Sequence, residues 1–346
     1  MDLEEVPLKV DIAPAPSARR VVTPRLAVTF VGSLVALGVL VRLAAPGRVD
    51  WLRAALIVFG SLLIQALPFV LVGALAAALI EVFVPIGTLE RITRLPRPLQ
   101  LPAAGLAGLA FPICECGSVP VARRLMTKGL LPSAAFTFML AAPVVNPVVI
   151  ASTFYAYRGR TTLWTMVLGR FGLGLLVAMA VGWALGARKK DELLRPTKEG
   201  AHSHHVELGE PEPGWRTFFV HLGNDFLFMG RYLLLGATVA AVVQTFLPQT
   251  ILAGVAGTPV LDVLTLMALA ALLSLCSESD AFIAASFRQF FGPSAQLAFL
   301  VFGPMVDLKL VAIYSGTFRR VVVVTIVVGA AAATLVGTLW LRVVVG

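Results

Sequence analysis

Nine apolar stretches dominate the chain, at about 26–44, 54–84, 101–122, 131–156, 161–187, 217–247, 262–287, 291–315 and 321–343. A helix needs roughly 20 apolar residues to cross about 30 Å of hydrocarbon, so each stretch is long enough to span a bilayer. Of 346 residues, 58% are hydrophobic and 14% charged. Soluble domains run at about 45–50% apolar and about 25% charged. A chain this apolar cannot cover a water-facing surface, which excludes a soluble enzyme of one or two domains. No alternating strands of about ten residues recur, which argues against an outer-membrane barrel.

The net charge of +9 lies mostly between the apolar runs. There it orients segments across a bilayer, and no nucleic-acid partner is expected. Three cysteines, Cys114, Cys116 and Cys276, are too few and too deep in apolar sequence for a secreted disulfide framework. No GxxxxGK, HExxH or GxSxG occurs. The chain therefore reads as no enzyme and as needing no cofactor.

Punctuation divides the chain into five parts: a flexible cytoplasmic tail (1–25), an extra N-terminal span (26–50), repeat one (51–187), a Gly/Pro-rich charged cytoplasmic linker (188–216) and repeat two (217–346). The duplication rests on aligned polar marks. Gly73 and Pro85 bracket a run matched by Gly236 and Pro248. CECGS at 114–118 answers CSESD at 276–280. SAAFTFMLAAPVVN (133–146) aligns without a gap on SAQLAFLVFGPMVD (294–307), so Pro143 meets Pro304 and Asn146 meets Asp307. Apolar matches are cheap in a membrane protein; a shared proline with a polar residue three positions later is not.

Loop charges choose the topology. With nine spans and a cytoplasmic N-terminus, 11 basic residues fall inside and 14 outside. If the CECGS and CSESD segments are re-entrant hairpins, 18 fall inside and 7 outside, as the positive-inside rule prefers. The expected fold is thus an all-α polytopic membrane protein with about seven transmembrane helices, two re-entrant hairpins and an inverted internal repeat; nine spans is the alternative.

Glu115, Glu278, Asp280, Asp307 and Lys309 lie inside apolar sequence. Insertion scales charge about 2.5–3.5 kcal/mol for each ionised group at mid-bilayer, so these must face protein, water or cargo. Pairing of Lys309 with Asp307 or Asp280 is one solution. Pro112, Gly117 and Pro120 are expected to interrupt the first hairpin, and Pro143, Pro147 and Pro304 to break the spans at 131–156 and 291–315. Broken backbone at membrane depth is tolerated only where protein buries it or it lines a wet cavity. Cys114, Glu115, Cys116 and Ser118 sit at the first break. Two thiols two residues apart can bind one soft ion or thiophilic metalloid, with Cys276 as a third sulfur. In this reading Cys114, Cys116 and Cys276 ligate cargo, the four acids balance charge or carry protons, and Asn146 coordinates directly or through water. His202, His204 and His205 read as solvated linker residues, and Arg170 and Arg231 as snorkelling or paired.

PICECGSVPVARRLMTKG, SAAFTFMLAAPVVNPVV, CSESDAFIAASF and AFLVFGPMVDLKL together resemble the bacterial predicted-permease family that includes the organoarsenical efflux permeases. The likeness covers most of residues 54–343. It implies a multi-pass permease of the bacterial plasma membrane with a cysteine-containing hairpin. In one branch that site serves trivalent arsenicals, and another branch is associated with copper and zinc export. The CECG and APxxNP motifs place this chain nearer the generic permease branch. The expected activity is a secondary transporter moving a soft metal ion or thiophilic metalloid, outward. Its partners are the lipid bilayer and a small inorganic or organometallic cargo, and a homo-oligomer is compatible. An anion carrier for a sulfur compound, with Lys309 as counter-charge, is the rival transport reading; a membrane thiol-redox protein is the rival from another class.

Overall fold

The computed structural model describes residues 50–83, 97–110, 113–188, 190–194, 215–246 and 259–345. The expected tail, the extra N-terminal span, Pro112 and most of the linker, its histidines included, lie outside the described residues.

The described chain is helical. In order come α1 (Asp50–Phe83), α2 (Arg97–Leu106, continued by a 3-10 turn at Ala107–Leu109), α3 (Glu115–Thr127), α4 (Pro132–Val145), α5 (Pro147–Tyr157), α6 (Leu163–Gly186) and the short α7 (Lys190–Leu193). Then follow α8 (Trp215–Phe246), α9 (Pro259–Leu273), α10 (Asp280–Ser286), α11 (Pro293–Phe302), α12 (Leu308–Thr317) and α13 (Arg320–Val345). Among the described residues the only extended pairing is an isolated antiparallel bridge between Leu194 and Phe318.

Local chemistry sets the boundaries. Proline opens α4, α5 and α11, where its missing N–H costs nothing and its fixed φ suits the first turn. Asn146 and Asp307 cap α5 and α12: Val148 N donates to Asn146 Oδ1 at 2.9 Å, and Leu310 N donates to Asp307 Oδ1 at 2.6 Å. Past the C-terminus of α3 the chain turns through Gly129 at φ 102°, a conformation glycine adopts without strain.

Among the described residues five stretches are long and apolar enough to cross a membrane: Leu52–Ile80, Pro132–Tyr157, Leu163–Gly186, Phe218–Val242 and Arg320–Val343. Of the seven spans expected, the first lies outside the described residues. The expected 291–315 span is instead two ten-residue helices, α11 and α12, separated at Gly303–Asp307. At a rise of 1.5 Å per residue, each covers about 15 Å, half the hydrocarbon. The CECGS and CSESD segments are likewise broken. α2 with its 3-10 turn ends at Leu109 and α3 begins at Glu115, and α9 and α10 are separated by a turn at 274–279 that holds Ser274 at φ 47°. Gly117 lies inside α3, and the helix continues through Pro120 in α3 and Pro143 in α4, so neither the glycine nor either proline is the point of interruption. Each proline removes one backbone donor, and packing around them (both are buried) offsets that loss.

At the centre lie α4 and α11, buried along nearly their whole length. α4 packs on α2, α3 and α6; α11 packs on α9, α13 and α6. α6 also meets α13, α8 meets α12, α3 meets α12, and α10 meets α5. The α4–α6 contact is made possible by a row of small residues on α6, Gly174, Ala178, Gly182 and Gly186, four apart on one face. A Cβ at Gly182 would collide with Thr137 and the Ser133 carbonyl. Lipid tails provide no hydrophobic drive for helices to associate, so such close backbone approach provides dispersion contact instead.

Candidate functional site

Around Glu115 the two broken regions face one another. The residue opens α3 and is 1% exposed. Lys309 Nζ, from the first turn of α12, donates to Glu115 Oε1 at 2.9 Å. Ser277 Oγ, from the turn before α10, donates to Glu115 Oε2 at 3.1 Å. Both carboxylate oxygens are therefore held by residues more than 160 positions away in sequence. Lys309 has a second acid, Asp307 Oδ2, at 3.6 Å. That oxygen has no hydrogen-bond donor, while the other caps α12.

A second buried ion pair lies beside the first. Arg170 of α6 donates through Nη2 to Asp280 Oδ2 at 2.8 Å and to the Ser277 carbonyl at 3.0 Å. Its Nη1 donates to Thr153 Oγ1 of α5 at 2.9 Å. Ser277 thus touches both pairs, by its hydroxyl and by its carbonyl. The two pairs have a crossed relation: the acid of α3 takes its base from α12, and the acid of α10 takes its base from α6. Asp280 Oδ1 and Arg170 Nε are buried without a hydrogen-bond partner among the described residues. Arg170 was readable in the sequence only as a charge within an apolar helix; its partner was not. Lys309 pairs chiefly with Glu115, and Asp280 takes Arg170 instead.

The three thiols are free and buried. Cys114 is the N-cap residue of α3, extended at φ −73° and ψ 171°, and Cys116 lies in the first helical turn. The two thiols thus stand on either side of Glu115, one before and one within the first turn of α3. Cys276 precedes Ser277, the residue whose hydroxyl donates to Glu115. Ser118 Oγ donates to the Glu115 carbonyl at 2.9 Å, closing the first turn of α3 instead of pointing at a ligand. Gly117 meets Gly73 of α1 backbone to backbone, so a side chain at either position would displace the helix that carries the thiols. Gly236 of α8 packs in the same way on Lys309. Glu278 is half-buried with Oε2 lacking a partner, and Asn146, 2% exposed, directs its Oδ1 to its own helix. Among the described residues, no group of three or more His, Cys, Asp or Glu is placed to hold a metal ion.

Nothing in the sequence marks three further polar contacts that close the ends of the core. Tyr157 Oη donates to Gln296 Oε1 at 2.8 Å, Gln296 Nε2 donates to the Phe291 carbonyl at 2.8 Å, and Tyr314 Oη donates to the Met305 carbonyl at 3.0 Å. Hydroxyls and amides are too common in such sequences to stand out. Arg124 of α3 donates to both oxygens of Asp225 in α8, at 3.1 and 3.3 Å.

Long apolar helices surrounding broken ones, with ion pairs and thiols sealed where the breaks meet, define a polytopic membrane protein built around an interior polar site. The chain belongs to the predicted permease family, whose pattern matches residues 51–341. Two relatives bear this out. The UPF0718 protein YcgR of Bacillus subtilis (strain 168) is 38% identical over 286 residues, covering 82% of this chain and 96% of its own length. A Streptococcus mutans protein named "Putative two-component membrane permease complex subunit" is 33% identical over 266 residues, covering 76% of this chain and 87% of its own length. No solved structure matches.

Proposed function

We propose that this membrane permease is a secondary transporter that carries a soft metal ion or thiophilic metalloid outward, taken up by Cys114 and Cys116. One observation carries the reading: two neighbouring free thiols are buried against the Glu115–Lys309 pair, where α3 and α12 begin. Free cysteine is also a common small core residue, but core packing needs no ion pair beside it. Two sulfurs suit a soft cargo that accepts two-fold sulfur coordination. They suit equally a neutral trivalent metalloid bearing two hydroxyls. There two S–metalloid bonds form, two metalloid–OH bonds break, and the thiol protons leave with the hydroxyls as two waters. No net charge then enters the interior. That matters because both buried bases already hold acids. Cys276, which precedes the Ser277 that bonds to Glu115, would receive the cargo from the pair.

The transport cycle in this reading is an exchange between two inverted halves, 51–187 and 217–346, whose hairpins α2–α3 and α9–α10 re-enter from opposite faces. The packing pairs support it: α2 on α4 has its counterpart in α9 on α11, α4 on α6 in α11 on α13, and α3 on α12 in α10 on α5. Single cysteines placed at Arg124 and Arg288 will react with impermeant thiol reagents from opposite sides of the membrane. Labelling of both from one side removes the inversion.

A second reading has support in Lys309 and Arg170, two buried cations close to the N-termini of helices, as an anion site requires. Proteoliposomes separate the two. Flux of a trivalent phenylarsenical or of silver ion, blocked by a dithiol and indifferent to thiosulfate, is the expected result. Flux of thiosulfate untouched by dithiol competitors would move the assignment to the anion carrier.

A further inference from the structure

We propose that Asp307 is the proton-binding residue of the permease, and that each cargo leaves in exchange for one proton entering. The inference rests on the outward, thiol-bound transport proposed above and adds the coupling ion and the residue that takes it.

Lys309 stands between two carboxylates, with Glu115 Oε1 at 2.9 Å and Asp307 Oδ2 at 3.6 Å. Glu115 is the better served of the two, because Ser277 Oγ also donates to it. Asp307 is 1% exposed. Its Oδ1 accepts from Leu310 N, and its Oδ2 has no hydrogen-bond donor among the described residues. Leaving one oxygen of an ionised carboxylate bare in a buried place is costly. Two acids that share one cation resist joint ionisation, so one of them holds a proton readily. The oxygen open to receive that proton belongs to Asp307.

The other charges around α12 are committed or remote. α12 packs on α3, α8 and α13. On α3, Arg123, Arg124 and Lys128 lie eight or more residues past Glu115, about 12 Å or more along the helix. On α8, Asp225 is held by Arg124, and Arg231 lies over the rings of Phe228 and Tyr232. His221 stands fifteen residues from Gly236, the α8 residue that packs on Lys309. Arg320 and Arg342 of α13 are exposed. Arg170 is held by Asp280, and Tyr314 gives its hydroxyl to the Met305 carbonyl. Glu278 and the thiols of Cys116 and Cys276, on the facing turns, add no cation.

A shared lysine supplies the coupling. With Asp307 protonated, Lys309 belongs to Glu115 alone and clamps the first turn of α3, which carries the thiols, against α12. With Asp307 ionised, Lys309 is drawn toward a second charge, its hold on Glu115 weakens, and that turn is freed to take cargo. Gly236 packs against the Lys309 backbone, which fixes the pivot and leaves the side chain to make the exchange. Protonation thus favours the empty site and ionisation the loaded one. Asp307 gives its proton to the cytoplasm as cargo binds and gains one from the outer side as cargo leaves.

A trivalent phenylarsenical is the probe, because its two bonds to sulfur release water and no net proton. In proteoliposomes loaded with it and with a pH dye, efflux through the parent should acidify the lumen by one proton per molecule exported. At zero membrane potential, an outside more acid by one pH unit should raise the final cargo gradient about tenfold. Parent binding should tighten by up to about tenfold per pH unit as Asp307 ionises. Asp307→Asn can still cap α12, as Asn146 caps α5, and should melt with the parent. It should bind the probe weakly at every pH and export it without acidification. Parent efflux that moves no proton, or acidification that survives in Asp307→Asn, would overturn this inference and leave the transport reading standing. A parent that moves no probe would remove both. Should the variant fail to fold, the parent's proton count alone decides.

Discussion

Replacing Lys309 with methionine will cost the folded protein more than any other single change in the interior. Lys309 is 2% exposed and holds Glu115 at 2.9 Å and Asp307 at 3.6 Å. Methionine keeps the length of the side chain and removes its charge, leaving two acids with no cation. Breaking a buried pair by removing one partner costs about 3–5 kcal/mol, because the stranded charge stays out of water. Removing both partners is far milder. The double variant Lys309→Met/Glu115→Gln should therefore recover most of the loss: the new amide oxygen can still accept from Ser277, and Asp307 keeps its bond to the Leu310 amide. Thermal unfolding of the purified protein in one detergent checks it. The single variant should melt far below the parent and the double variant well above the single. A single variant that melts with the parent would mean that Lys309 does not hold these acids.

That pair also shows what was legible beforehand and what was not. A lysine and an acid within apolar runs are conspicuous in sequence, because lipid excludes both. Which acid takes which base is a matter of tertiary packing across 194 residues, and the sequence offered Asp307 or Asp280 for Lys309 without pointing to Glu115. Arg170 is the same case, legible as a charge in an apolar helix and illegible as the partner of Asp280. Prolines were a coarser guide. Pro147 and Pro304 stand at interruptions, but Pro120 and Pro143 are absorbed within helices, since one missing donor bends a well-packed helix without ending it. Asn146 and Asp307 were conspicuous for the same polarity that makes them helix caps. Each caps the helix that follows its break, and capping alone accounts for Asn146 Oδ1.

Cys114→Ser/Cys116→Ser should abolish cargo movement with little loss of stability. The exchange of sulfur for oxygen nearly preserves shape, and both residues lie at the start of α3, where serine is well tolerated and at the N-cap even favoured. A hydroxyl is a poor ligand for soft cargo, so flux of a trivalent phenylarsenical into proteoliposomes should fall to the protein-free rate. Each single serine variant should retain weak binding through the remaining thiol, with flux between parent and double variant. Cys276→Ser should slow transport without preventing the first binding step, because Cys276 lies in the other broken region and, on the proposed path, meets the cargo second. Equilibrium binding and flux, measured side by side, separate these cases. If the double variant transports like the parent while melting at the parent's temperature, the thiols are packing residues. The permease would then recognise its cargo through Lys309, Arg170 and the open ends of its broken helices.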